Sequence, residues 1–174
     1  MNEEGGLILG NEVIPPVQEW DGNCDGDPLS QTFIVIDNEE GGIAKFGSFA
    51  TSCDVYFFEK DENYPVTMEL RNVIKGSPGP KVLPFGRKTL QAGELVTSTD
   101  GSAATTFTFD SPVYMQGGGQ YCICLLSATP DHKVWISDLG TQDTSGNEIS
   151  KQPHVGVLFK SSNDANWVAS PTQD

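Results

Sequence analysis

The sequence has few basic residues, no long apolar run and no basic leader. Ten Lys and Arg stand against 24 Asp and Glu, which gives a formal net charge of −14. A surface of this sign repels phosphate backbones, so we expect no nucleic-acid partner. No stretch approaches the ~18 consecutive apolar residues that a membrane-spanning helix needs, and the acidic start MNEEGG does not resemble a secretory signal. We therefore expect no membrane span and no signal peptide.

The motifs of common enzyme classes are also missing. The sequence contains no GxSxG nucleophile elbow and no GxGxxG or P-loop pattern. Its two histidines, His132 and His154, are interpreted as surface or strand-end residues. A glycan hydrolase would need two convergent carboxylates about 5–10 Å apart, whereas most acids here fall in turns. We therefore expect no enzymatic activity and no cofactor.

The cysteines do not have the spacing of a zinc site. Cys24, Cys53, Cys122 and Cys124 include no CxxC pair and no neighbouring histidine. Cys122 and Cys124 stand two apart in an apolar run, so both point to the same face if the run is a strand. A disulfide framework is not favoured in a chain of this size without signs of secretion. We interpret the cysteines as buried, reduced thiols.

One acidic stretch, WDGNCDGDP, begins in the way that a calcium-binding loop begins. Asp21, Asn23 and Asp25 alternate and are followed by Gly26, which matches the first half of an EF-hand loop. The twelfth position is Thr32 rather than a bidentate Glu, so the largest protein contribution to the ion is missing. We interpret the stretch as an Asn/Asp/Gly turn, and the three residues remain weak calcium candidates.

Glycine and proline, with 19 and 11 residues, separate short runs of β-branched and aromatic residues. This punctuation is typical of an all-β chain. We find no run of ten residues with a helical period of 3.6. The predicted strands are residues 31–36, 43–49, 53–60, 66–74, 105–115, 117–128, 133–139, 154–160 and 166–169.

The run 66–74 shows the clearest alternation of apolar and polar residues. Glu69 and Arg71 share its polar face, as expected for a half-buried strand with one face in water. The next residues, 75–86, contain three prolines and three glycines and are predicted to form an exposed loop with a short extended piece. Residues 87–96 are the one helix-tolerant piece. The apolar face of the run 66–74 carries Val66, Met68 and Leu70.

The remaining pattern predicts two packed sheets. Residues 105–115 alternate with Phe107 and Phe109 inward, and residues 117–128 are apolar on both faces, which suits a central strand. Nine or ten strands in one open sheet would leave an apolar face in water, so two layers are required. We predict a single antiparallel β-sandwich of the all-β class with jelly-roll-like connections.

Composition divides the chain into two parts. Residues 1–26 are rich in Gly, Pro and acids and have weak periodicity, so we interpret them as an N-terminal arm or linker. Residues 27–174 carry all of the predicted strands and are numerous enough to bury a hydrophobic core, so we predict that they form the β-sandwich domain. The prediction is one domain with an N-terminal extension.

Aromatic residues raise the alternative of a glycan-binding module. Trp135, Trp167 and Tyr114 could stack on a sugar, as aromatic platforms do in carbohydrate-binding sandwiches. Trp135 also alternates with apolar neighbours, so packing in the core explains it equally well. The two alternatives differ in whether these rings are exposed on one face.

Seven blocks of the sequence, in order, resemble a domain of structural proteins in large contractile-tailed bacteriophages. The resemblance is to long tail-fibre or baseplate-associated proteins of marine cyanophages and spans residues 27–167. No block is distinctive alone, and the ordered series carries the resemblance. The blocks are DPLSQTF (27–33), YPVTMELR (64–71), GPKVLPF (79–85), ATTFTFDSPVYM (104–115), YCICLLS (121–127), VWISDLG (134–140) and GVLFKSSNDANW (156–167).

The resemblance implies a virion component that is assembled in the host cytoplasm and has no enzymatic activity. Other tail or baseplate proteins, a second copy of the chain and host-surface glycan are the expected partners. In that family a further apolar strand follows the position of Trp167, whereas here the sequence continues as VASPTQD. We therefore expect an open edge at this end of the sandwich, which another copy could fill.

Overall fold

The computed structural model describes residues 27–35, 47–141, 148–150 and 156–173. Within these residues the chain forms ten strands and one short 3₁₀ helix. The strands are β1 (Leu29–Ile34), β2 (Ser48–Val55), β3 (Phe57–Glu59), β4 (Val66–Ile74), β5 (Ser77–Leu90), β6 (Thr105–Met115), β7 (Gln120–Ser127), β8 (Lys133–Val134), β9 (Leu158–Lys160) and β10 (Val168–Ser170), and the 3₁₀ helix is Ala92–Glu94.

Six of these strands form one antiparallel sheet in the order β10-β9-β1-β7-β4-β5. β2 pairs with β6, and β3 pairs with β8, in two further antiparallel pairs. Most neighbours in the large sheet are distant in sequence, as jelly-roll-like connections require. The prediction of an all-β antiparallel sandwich is therefore confirmed.

One hydrophobic core joins the layers, because alternate residues of the facing strands point inward. The inward residues of β4 and β6 are the predicted ones, since the apolar face of β4 is buried and Phe107 and Phe109 are buried on β6. β7 lies between β1 and β4 and is the predicted central strand. Each large apolar side chain buried here contributes about 1.5–3 kcal/mol. The fully enclosed members of the core are Phe57, Val66, Met68, Phe107 and Val113.

The expectation of a loop at residues 75–86 is wrong, because this segment belongs to the 14-residue strand β5. A two-residue turn connects β4 to β5, and both of its residues, Lys75 and Gly76, have positive φ. β5 is the end strand of the sheet, where prolines that cannot donate to a ladder are tolerated. The helix-tolerant residues 87–96 continue β5 to Leu90 and then form the 3₁₀ turn.

Two bulges interrupt the pairing of β5 with β4. Arg71 pairs with Val82, whereas Glu69 pairs with Arg87, so the four residues 83–86 are looped out of the ladder. Gly86 closes this bulge, and a Cβ there would lie 3.0 Å from the carbonyl oxygen of Leu70. The first bulge, residues 79–81, is held by Asn72, whose side-chain oxygen accepts the backbone N–H of Lys81 at 3.2 Å. β5 thus carries projecting segments that its sequence alone suggested were loops.

Candidate functional site

The three calcium candidates, Asp21, Asn23 and Asp25, lie outside the described residues. Within the residues that the structure describes, no group of three or more His, Cys, Asp or Glu side chains could hold a metal ion. No helix in the same part of the chain is long and apolar enough to cross a membrane. The candidate sites must therefore be sought among aromatic, ion-paired and thiol groups.

Trp135 is buried rather than presented to solvent, with 6% of its surface exposed. Its indole N–H donates to the carbonyl oxygen of Ser98 at 2.9 Å, and its ring meets Phe58 edge-on at 5.3 Å. Gly101 has a φ of +68° and leaves room for the ring, since a Cβ there would lie 3.6 Å from it. Trp135 therefore packs as a structural residue, and Trp167, which precedes β10, is partly buried.

Tyr114 is the exposed member of the aromatic candidates. It lies on β6 beside Phe49 of β2, with ring centroids 5.3 Å apart and an interplanar angle of 57°. The two side chains are 51% and 67% exposed. Gly47, with a φ of +79°, fixes the start of β2 against this ring, because a Cβ there would lie 2.3 Å from the carbonyl oxygen of Met115. The pair forms an aromatic patch on the outer face of β2 and β6.

The polar face of β4 is covered, which contradicts the expectation that it faces water. Glu69 is 1% exposed and Arg71 is 4% exposed. Arg71 Nε donates to Glu69 Oε2 at 2.6 Å, and its two terminal nitrogens donate to Asp164 at 2.7 and 2.8 Å. Arg87 from β5 donates to the other Glu69 oxygen at 2.6 Å. The segment around Asp164 thus lies over the sheet, and Arg71 joins it to β4.

The environment of Arg71 keeps it charged. Burial alone would lower the pKa of the guanidinium, but the hydrogen bonds to Asp164 and Glu69 outweigh burial and raise the pKa. Both carboxylates that converge here are engaged by guanidinium groups and accept all of these hydrogen bonds. The arrangement is suited to fixing a loop on a sheet. The signal in the sequence was the pair of opposite charges, Glu69 and Arg71, two positions apart on a strand. The residues near them gave no indication that the segment around Asp164 covers them.

Beneath the same cover, Cys122 and Cys124 point to one face of β7, as predicted. Both are fully buried, and their Sγ atoms lie 3.9 Å apart. Cys124 also contacts the hydroxyl of Ser30 at 3.2 Å. The contact between the thiols lowers the pKa of Cys122 and raises that of Cys124, and burial adds to the rise at Cys124. The prediction of buried, free thiols is therefore confirmed for Cys122 and Cys124, whereas Cys53 is free but only partly buried and Cys24 lies outside the described residues.

Cys53 is the third free thiol, and it lines an apolar cavity between the layers. Burial, followed by the charge of Asp54, raises its pKa to about 12, so the thiol is protonated and unreactive at neutral pH. The cavity has a volume of about 50 Å³ and is also lined by Ile123 and Trp135. Ligand pockets are usually about 300–1,000 Å³, so this space is a packing gap.

His132 is completely buried, which contradicts the surface alternative, but it directly precedes β8, as the strand-end alternative expects; His154 lies outside the described residues. Nδ1 accepts the backbone N–H of Asp61 at 3.1 Å, so Nε2 carries the proton and faces the carbonyl oxygen of Tyr64 at 3.1 Å. Burial lowers the pKa of His132, although Asp61 and Asp131 oppose this shift. The neutral ring joins the segment before β4 to the segment before β8, and the role is structural.

Comparison with known proteins leaves the family open. No protein-family model matches the chain, and no curated protein matches it significantly.

Proposed function

We propose that the chain is a non-enzymatic structural module of a virion, a spacer or docking domain of a phage tail fibre or baseplate. The ordered blocks that resemble such proteins motivate the proposal. One observation carries the proposal: the polar and titratable side chains that could react are engaged in structural contacts, whereas two aromatic rings are exposed. His132, Arg71 and Glu69 fix loops to the sandwich, whereas Phe49 and Tyr114 are held in solvent. Exposed apolar patches on stable sheets favour protein contacts.

Mass spectrometry and immunogold electron microscopy of gradient-purified virions, with antibodies against the full chain, test the proposal. The expected result is a fixed copy number per particle and label on the tail. A chain that stays in the host-cell fraction after virions are removed would contradict it. Cleavage of a host-surface polymer by the purified chain would contradict it as well.

A host-surface glycan-binding module is the second candidate, and the Phe49–Tyr114 patch favours it. Aromatic rings exposed on a sheet face can stack on sugar rings, although the tilt between these two leaves room for stacking on one ring at a time. Isothermal titration calorimetry with host-surface glycan tests this function. Saturable binding that Tyr114→Ala abolishes and Trp135→Phe preserves would support it. No saturable binding at any glycan would remove it.

A further inference from the structure

The basic residues of this acidic chain are concentrated on one hairpin. Residues 71–93 contain five of the ten bases and no acid. Three of them, Lys75, Lys81 and Arg87, are exposed along the turn and β5. Arg87 also pairs with Glu69, in a cluster of two guanidinium groups and two carboxylates, whereas the ion pairs of the described residues include neither Lys75 nor Lys81. We name this surface, with Phe85, the basic strip.

Phe85 gives the basic strip an apolar centre. It lies in the looped-out bulge of β5, has a φ of +63° and is 65% exposed. A bulky side chain in the left-handed region is costly, and burial of its ring does not compensate here. Lysines and prolines alone would protect an end strand against pairing, but protection does not require a strained, exposed Phe. Strain of this kind clusters at binding sites.

The sequence also contains a segment complementary to the basic strip. No Lys or Arg occurs before Lys45, whereas the first 44 residues contain ten acids. Residues 1–26 hold six of those acids together with the apolar run Leu7–Leu9. Acidic and apolar side chains on one segment match the basic strip and Phe85 in both charge and hydrophobicity. For residues 1–26 the match is argued from the amino-acid sequence alone, and for the basic strip it is argued from the exposed side chains of β5.

We propose that the basic strip docks the acidic segment 1–26 of a second copy of this chain. Phe85 inserts between apolar side chains of that segment, and Lys75, Lys81 and Arg87 pair with its carboxylates. The inference rests on the proposed function as an assembly module and names its partner. The contact involves no chemical step.

Two peptides measure the docking on the full chain. One has the sequence of residues 1–26, and the other has its six acids replaced by the corresponding amides. Fluorescence anisotropy of the labelled acidic peptide is expected to show saturable binding, at least about tenfold weaker for the amide peptide. Phe85→Ala and Lys81→Glu are each expected to weaken binding at least about tenfold, as for a central anchor. Val168→Ala, at a residue 69% exposed on β10 at the opposite edge of the sheet, is the control and is expected to leave binding unchanged.

Self-association of the full chain, followed by light scattering across a concentration series, is the second readout. The acidic peptide is expected to dissociate the assembly, and the same two variants are expected to weaken it. A monomeric chain that does not bind the peptide overturns the proposal. This result would mean that segment 1–26 of a second copy does not occupy the basic strip, and that the strip is left to the chain's own segment or to a different protein. Assembly that is insensitive to Phe85→Ala also overturns it, while leaving the structural function intact. Peptide binding by a chain absent from virions would instead remove the structural function alone.

Phe85→Gly separates docking from a role in the fold. Glycine adopts positive φ freely, so this variant is expected to unfold at the same temperature as the parent or higher, while peptide binding is lost. A lower unfolding temperature would show that the ring stabilises the sandwich and would count against its role as an anchor.

Discussion

Replacement of Arg71 by Met is the sharpest test of the covered face of β4. The variant removes three charge-assisted hydrogen bonds, one to Glu69 and two to Asp164. Glu69 stays 1% exposed and keeps only Arg87, whose side chain is 64% exposed. Removing one partner of a buried ion pair costs about 3–5 kcal/mol, because the remaining charge stays buried. We therefore expect the free energy of unfolding to fall by about that amount.

Urea denaturation measures this loss, with an unchanged slope as the check that the denatured state is the same. Lys88→Met is the matched control, because Lys88 pairs with Asp110 at 2.7 Å on a carboxylate that is 79% exposed. Its loss should be under about 1 kcal/mol, as for surface pairs. The double variant Glu69→Leu/Arg71→Met should recover most of the loss, since no uncompensated buried charge remains. A loss below about 1 kcal/mol for Arg71→Met, or a double variant less stable than the single one, would refute the reasoning.

Two further predictions concern His132 and Gly156. The pKa of His132 is lower in the folded protein than its ordinary value of 6.5, so the unfolded chain binds more protons as the pH falls below that value. The contribution of the neutral ring to stability is therefore complete above about pH 6.5 and is lost as the pH falls toward the folded pKa. Urea titrations at pH 7.5 and 5.0 should show that the free energy of unfolding falls more for the parent than for His132→Gln. Equal falls in the two proteins would contradict this. Gly156→Ala should destabilise the fold by about 1–3 kcal/mol, because its Cβ would lie 1.8 Å from the carbonyl oxygen of Thr32. Gly93→Ala, which meets nothing within 4 Å, is the control; thermal melts of equal midpoint for the two variants would contradict the steric argument.

Local patterns predicted the strands that obey a simple alternation. The bounds of β6 match residues 105–115, because alternating Phe and Thr residues specify both the strand and its buried face. The shared face of Cys122 and Cys124 followed from the same period of two. β4 was also placed correctly, since apolar and polar residues alternate from Val66 to Arg71. In these cases the information lies within one run of sequence.

The errors arose where distant segments decide the environment. Glu69 and Arg71 look solvent-facing within β4, but Asp164 lies 93 residues beyond Arg71 and brings the covering segment over them. His132 is buried through contacts with Asp61 and Tyr64, which precede it by 71 and 68 residues. The proline and glycine content suggested a loop where β5 lies. A strand tolerates these residues at the end of a sheet and at bulges, and both features become known only when the sheet is assembled.

The outer surfaces of the sandwich differ in exposure, and this difference limits which of them a second copy could contact. The face of β4 and β7 is covered by the segment around Asp164, which Arg71 holds through two hydrogen bonds, so docking on this face would first require that segment to move. The patch at Phe49 and the bulge at Phe85 are already exposed, so docking there requires no rearrangement. Because the basic strip and segment 1–26 are different parts of the chain, the proposed contact permits two kinds of assembly. Two copies can exchange their segments in a closed two-fold dimer, or each copy can dock onto the next in a ring or a filament.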